Sequence, residues 1–252
     1  SMTSKYDDEI SLLEIWKALF QYKWLILGLP AVAAVTAFAA ASFMKPQWEA
    51  VGVIQIGQIG QNGQAGQAVE PTLRAIERMK LPAFKREVLT AMGVPPTDPA
   101  ATLYGGALAV SALPNTDLIE FKVRAYSKED AGRFAEATAN GLSKIHSQLA
   151  APTVRRLTEQ LADTKAQIER TRAERERLVK TAAERPMAKA SGMFSENILL
   201  ANILTQRDGE LRAFEQIRMT LEEQLSPVRT YPTALMGAVN VSDDPVAPRK
   251  RF

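Results

Sequence analysis

Across residues 154–182, and again across 200–225, mostly apolar side chains, with Thr and Arg among them, return at alternating steps of three and four. The first run is Val154, Leu157, Leu161, Thr164, Ile168, Thr171, Arg175, Leu178 and Ala182. The second is Leu200, Leu204, Arg207, Leu211, Phe214, Arg218, Leu221 and Leu225. This is the seam spacing of a coiled coil, in which an apolar stripe meets a partner helix. Between the runs, Pro186 and Gly192 break helix and permit a reversal. The stretches 153–184 and 194–225 are equally long, each about 48 Å as helix, and equal arms around one breaker predict an antiparallel hairpin. Its packing residues are expected to be Val154, Leu157, Leu161, Ile168, Leu178, Leu204, Leu211, Phe214, Leu221 and Leu225. A reversal near 189–190 puts Ile168 opposite Leu211, Arg175 near Leu204 and Arg218 near Leu161. The charge run over 169–177 reads as a solvated helix face.

A different pattern governs the start. Residues 8–20 predict a short amphipathic helix with acids in its first turn, suited to a membrane surface. No charged residue then occurs over 24–44, a stretch bracketed by Lys23 and Lys45. As helix it spans about 31 Å, the thickness of a bilayer core. Trp16, Tyr22 and Trp24 on one side, with Phe43 and Trp48 on the other, suit the two interfaces. A cleaved signal peptide would use the small residues around Ala39, but the apolar run is too long and acids precede it. The expectation is a transmembrane helix. Lys5, Lys17 and Lys23 precede it and only Lys45 closely follows, so the N-terminus is expected in the cytoplasm and the bulk outside.

Short elements fill the region between membrane and arm. Residues 50–56 read as a strand, and the Gly-Gln-X triplets of 57–68 as a flexible loop. Helices are expected over 70–80 and 82–92, with Pro71 and Pro82 in their first turns, followed by a connector over 95–99. Strands over 107–112 and 118–125 flank a turn, and the second places Ile119, Phe121, Val123 and Ala125 on one face. Ser127 and Asp130 form a capping box for a helix over 128–150, beside whose apolar stripe His146 is expected to be partly exposed. Pro152 is expected to kink or break the chain where the arm begins. A last strand is expected within 231–241, then a Pro-rich, finally basic tail.

The fold class is therefore a membrane-anchored α+β protein, with one N-terminal transmembrane helix, an α/β base and a long antiparallel helical hairpin arm. Its parts are a cytoplasmic segment 1–23, the span 24–44, an extracytoplasmic base 45–150, the arm 151–226, and a returning strand with tail 227–252. That tail is expected to lead toward a second transmembrane helix.

Composition narrows the chemistry. The 252 residues carry a net charge of +3, no Cys and a single His. Basic residues are interleaved with acids, which argues against nucleic acid. Thiolate nucleophiles and multi-His metal sites are excluded. The Gly-rich stretch lacks the Gly-Lys-Ser/Thr of a phosphate loop, and Asp243 and Asp244 lie in the Pro-rich tail, where general acid–base work is not expected. No catalytic, cofactor or metal site is expected, and no cofactor.

Three segments carry a resemblance. Glu9-Ile10-Ser11-Leu12-Leu13-Glu14-Ile15-Trp16-Lys17 with Lys23-Trp24-Leu25-Ile26 resembles the opening of bacterial polysaccharide co-polymerases, the Wzz-type chain-length determinants. Leu118-Ile119-Glu120-Phe121-Lys122-Val123 with Ser127-Lys128-Glu129-Asp130-Ala131 resembles their periplasmic strand-then-helix, and Pro245-Val246-Ala247-Pro248-Arg249-Lys250 the approach to their second span. The resemblance implies an inner-membrane protein that forms homo-oligomeric rings. It also implies non-catalytic control of the length of a surface polysaccharide, lipopolysaccharide O-antigen or a related glycan. The implied partners are further copies of itself, a membrane polysaccharide polymerase, the growing glycan and the lipid bilayer. The rival reading is a periplasmic adaptor of a secretion or efflux system. Such adaptors flank the hairpin with half-motifs of a lipoyl-like β-domain, whereas a helix precedes it here.

Overall fold

The structure, a computed structural model, describes residues 12–184 and 193–248. The reversal expected at 185–192, the first residues of the helix expected over 8–20 and the basic residues 249–251 lie outside them. The chain divides into two units, 1–47 with 244–252 and 48–243.

In the first unit, α1 (Leu12–Gln21) precedes α2 (Lys23–Phe43). No residue of α2 is buried against protein. The Thr36 and Ser42 hydroxyls donate to the carbonyls of Val32 and Phe38, each at 2.8 Å, so neither needs a further partner in lipid. α2 is the one described helix long and apolar enough to cross a membrane. After it, Gln47 and Ala247 form a bridge, the Gln47 N–H donating to the Ala247 carbonyl at 2.8 Å.

The second unit is built on β1 (Trp48–Gln55), which pairs antiparallel along its whole length with β5 (Leu118–Ala125). On its other side β1 holds two short strands, β6 (Ala234–Leu235) and β7 (Asn240–Val241), and β4 (Ala109–Ala112) forms the far edge. The strand expected within 231–241 is thus two short pieces, interrupted by a turn. Alternation sets the faces: Ala50, Ile54, Ile119, Phe121, Val123 and Ala125 are fully buried, while Glu49 and Arg124, opposite each other in register, pair at 3.1 Å on the other face.

Three helices and the start of a fourth cover the buried face. They are α3 (Thr72–Lys80), α4 (Pro82–Met92), α5 (Pro99–Ala107) and the first turns of α6 (Lys128–Glu184). The Ser127 hydroxyl accepts from the Asp130 N–H at 3.1 Å, capping α6. Phe134, Leu142 and Ala135 of α6 enter the core beside Phe84 and Val88 of α4.

Three expectations need correction. The Gly-Gln-X stretch is not a loop but a hairpin, β2 (Gln58–Gln61) paired with β3 (Gln64–Ala68). Its turn is Asn62-Gly63, with Gly63 at φ 67°, a left-handed position that glycine occupies without strain. α5 starts at the last residue of the expected connector and fills a stretch for which no helix was expected, because Asp98 caps it, its carboxylate accepting from the Ala100 N–H at 2.8 Å, and Pro99 suits its first turn. Pro152 does not end a helix: α6 runs unbroken for 57 residues. The carbonyl that Pro152 leaves without its donor belongs to exposed Gln148, where water can serve it, and packing on both sides holds the helix.

One buried polar pair ties α5 to α6. Tyr104 is fully buried and stacks on Phe134 at 5.1 Å. The Thr138 hydroxyl donates to the Phe134 carbonyl at 2.7 Å, so the Tyr104 hydroxyl donates to Thr138, 2.9 Å away. Burial pushes the phenol up to about 12. The direction of donation makes the pair asymmetric. Tyr104→Phe leaves Thr138 satisfied and is expected to cost about 1 kcal/mol, whereas Thr138→Val strands a buried phenol and costs about 1–3 kcal/mol. Urea unfolding of the detergent-solubilised chain checks this, and equal losses would refute the assigned direction.

Candidate functional site

The arm is α6 beyond the base together with α7 (Met193–Leu225), packed antiparallel. On α6, Leu157, Thr164, Ile168 and Thr171 are buried, and Val154, Leu161, Leu178 and Ala182 half-buried. On α7, Leu221 alone is buried among the described side chains; Leu204, Leu211, Phe214 and Leu225 are half-buried. Ion pairs flank this seam. Lys165 meets Glu222 at 3.3 Å, Arg172 meets Glu215 at 2.6 Å, Glu174 meets Arg207 at 3.4 Å, and Arg175 meets Asp208 at 2.6 Å.

These pairs show where the charged side chains beside the seam reach. Arg175, placed by spacing near Leu204, bonds Asp208 one turn further along α7. It is exposed, and Glu174 takes the half-buried position beside it. The Arg218 head bonds Glu215 and Glu222 of its own helix. Charged side chains reach their complements along the two helices, a preference that apolar spacing does not encode.

Where arm meets base, a buried polar chain joins four segments. His146 of α6 is 1% exposed, not partly exposed as its place beside the stripe suggests. The Gly57 N–H donates to the Thr233 hydroxyl at 2.8 Å, and that hydroxyl lies 2.5 Å from His146 Nδ1. His146 Nε2 lies 3.0 Å from Glu70 Oε2, and Arg78 grips the same carboxylate with Nε and Nη2. Because Glu70 as a carboxylate only accepts, Nε2 carries the proton; Nδ1 then accepts from Thr233. Every group is satisfied with the imidazole neutral. Glu70, Arg78, Thr233 and Gly57 carry no sequence signal that points to this role. His146 does, since it falls four residues after buried Leu142 on the same stripe.

Burial lowers the His146 pKa from its ordinary 6.5, against the pull of Glu70, which raises it. For Glu70, burial alone would raise the carboxyl, but hydrogen bonds from Arg78 and His146 and their charges together hold it below 4.5. Between 6.5 and the lower folded value, the unfolded imidazole binds more protons than the folded one, so stability falls as pH falls through that window. The Glu70 contribution is full above 4.5 and lost as pH drops through its own lowered value. The joint is therefore at full strength above about pH 6.5. Denaturation midpoints between pH 7.5 and 5.5 are expected to decline below 6.5 for the wild type. His146→Asn, which cannot titrate, is expected to give a flatter profile; matching slopes in the two proteins would refute the assignment.

The family model of the chain length determinant proteins, Wzz, matches residues 8–91. No curated protein matches the chain. Among solved structures it is similar to a full-length bacterial polysaccharide co-polymerase, at 16% identity, covering 96% of this chain and 90% of that one, with a TM-score of 0.36. It is also similar to a fragment of WzzB, a polysaccharide co-polymerase from Salmonella Typhimurium, at 7% identity, covering 80% and 100%, with a TM-score of 0.30. A mutant of the Shigella flexneri lipopolysaccharide O-antigen chain-length regulator follows at 10% identity, covering 79% and 98%, with a TM-score of 0.22. Similarities at these TM-scores carry no weight beside the sequence match. The match over residues 8–91 takes in the apolar helix, β1, the β2–β3 hairpin and α3, so it is this third of the chain that is similar to the Wzz chain length determinant proteins.

Proposed function

We propose that this chain is a polysaccharide co-polymerase, a membrane-anchored protein that regulates the chain length of a bacterial surface polysaccharide without making or breaking a glycosidic bond. The observation that carries the reading is the family match across the apolar helix and the start of the base. The glycan is lipopolysaccharide O-antigen or a related polymer. The protein acts as a homo-oligomeric ring on the periplasmic side of the inner membrane, beside a membrane polymerase and the growing glycan. Its N-terminus lies in the cytoplasm, a reading supported by the lysines that precede α2. The adaptor reading is not favoured.

On this reading the arm and base act through packing, and the arm-packing residues from Val154 to Leu225 matter for the shape they hold. Ile168 is 3% exposed, so Ile168→Asp buries a carboxylate in the seam at a cost of several kcal/mol. Arg177 is exposed and makes no ion pair among the described residues. In a deletion strain complemented with the full protein, Ile168→Asp is expected to blur or shift the modal length on a polysaccharide gel ladder while polymer is still made. Arg177→Ala is expected to leave the ladder near wild type. An unchanged ladder on deleting the gene would sink the reading, and total loss of polymer would point to polymerisation or export instead.

Orientation has its own test, made clean by the absence of cysteine. Single cysteines replacing Lys17 and the exposed Ser111 are probed in intact cells with an impermeant thiol reagent that crosses the outer membrane. Only position 111 is expected to label; labelling at 17 alone would reverse the topology.

A further inference from the structure

A cleft of about 410 Å³ lies between the β2–β3 hairpin and the root of the arm, within the size range of small-ligand sites. Its polar lining is Gln61, Asn62, Gln67, Thr153, Arg156 and Gln224, with no carboxylate. Leu149, 49% exposed, supplies an apolar patch within it. We propose that this cleft binds a short saccharide stretch of the polymer, an assignment that rests on the co-polymerase reading.

The chemistry of the lining favours a polyhydroxylated ligand. Each primary amide offers donors and an acceptor in one plane, a match for adjacent sugar hydroxyls, and the guanidinium adds five donors. The exposed leucine suits the C–H face of a pyranose ring. Three of these side chains, Asn62, Arg156 and Gln224, have no partner among the described residues, so the fold does not consume them. Gln61 Nε2 donates to Gln67 Oε1 at 2.7 Å, which leaves the Gln61 carbonyl and the Gln67 amide hydrogens free for a ligand.

The walls are set before any ligand arrives. The Gly60 N–H donates to the Thr230 hydroxyl at 2.9 Å, and that hydroxyl donates to the Gln224 carbonyl at 2.6 Å. Arg229 donates to the Gln64 carbonyl at 2.8 Å, and the Gln58 amide donates to the Arg229 carbonyl at 3.0 Å. The hairpin is thus tied to the segment after α7, and little ordering is left for binding to accomplish. This also gives the Gly-Gln-X repeat a purpose. Its glutamines fall at 58, 61, 64 and 67, and the hairpin brings two of them into the cleft as a bonded pair while a third anchors it.

The probe is the surface polysaccharide of the cells that carry this protein, freed from lipid by mild acid. Binding to the full chain in detergent is followed by saturation-transfer NMR titration. The wild type is expected to bind, and Arg156→Ala with Gln224→Ala to weaken binding at least about tenfold, since hydrogen bonds to a charged group are the strong ones. Arg155→Ala removes the same charge next door but outside the cleft lining, and is expected to bind as wild type. Both variants alter side chains without partners, so their melting temperatures are expected to stay near wild type. No binding by the wild type, or equal losses in the double variant and Arg155→Ala, overturns the cleft. So does a shifted gel ladder in the double variant with polysaccharide binding intact, which makes the cleft a contact between protomers. Because gene deletion alone tests length control, a ladder that collapses on deletion with a double variant that binds normally rejects the cleft and keeps the function.

Discussion

The geometry of the second unit turns on one imidazole held neutral inside protein. His146 sits on α6 where the helix leaves the base, and its two nitrogens face two different parts of the chain. On one side Glu70 lies two residues before α3 and Arg78 in its last turn; on the other Thr233 and Gly57 bring in the returning segment and the link between β1 and β2. A buried polar chain of this kind adds little net stability, because its desolvation offsets its attraction. Its effect is on specificity. Removing any one member leaves another buried without a partner, so only one rotation and one height of α6 satisfy all of them.

The arm uses the opposite device. Its interhelical ion pairs are largely exposed, and such pairs contribute about 0–1 kcal/mol each. Holding the helices together falls to the seam, where Leu157, Ile168 and Leu221 are buried. That seam is thin. Threonines occupy two of its buried places, and α7 buries only one apolar residue among its described side chains. Apolar contacts slide by a turn at small cost, so the charge complements decide which turn is kept.

What the sequence disclosed follows from this division. Periodic signals were legible: the seam spacing of the arm, the charge-free run of α2, the alternation in β5 and the cap at Ser127. Features that depend on partners far along the chain were not. The expected exposure of His146 fails because Thr233 and Glu70, the residues that satisfy it, lie far off in sequence. The ion pairs of the arm were not legible either, because spacing records where leucines fall, not which carboxylate an arginine reaches. The β2–β3 hairpin is a different case, since Asn62-Gly63 is a strong local turn signal that the surrounding Gly-Gln repetition obscures.

The unbroken passage of α6 through Pro152 links these devices physically. A break there would have made base and arm separate bodies whose angle a loop could vary. Instead one helix carries the core residues Phe134 and Leu142, the joint residue His146 and the seam residues Leu157 and Ile168. The proline removes one hydrogen bond at a solvent-facing carbonyl, while the joint lies six residues earlier and the first buried seam leucine five residues later. Both anchors are close enough to keep the helix continuous across the lost bond. The direction of the arm is therefore set by packing inside the base, and a change at Glu70 or Thr233 acts on the arm without touching it.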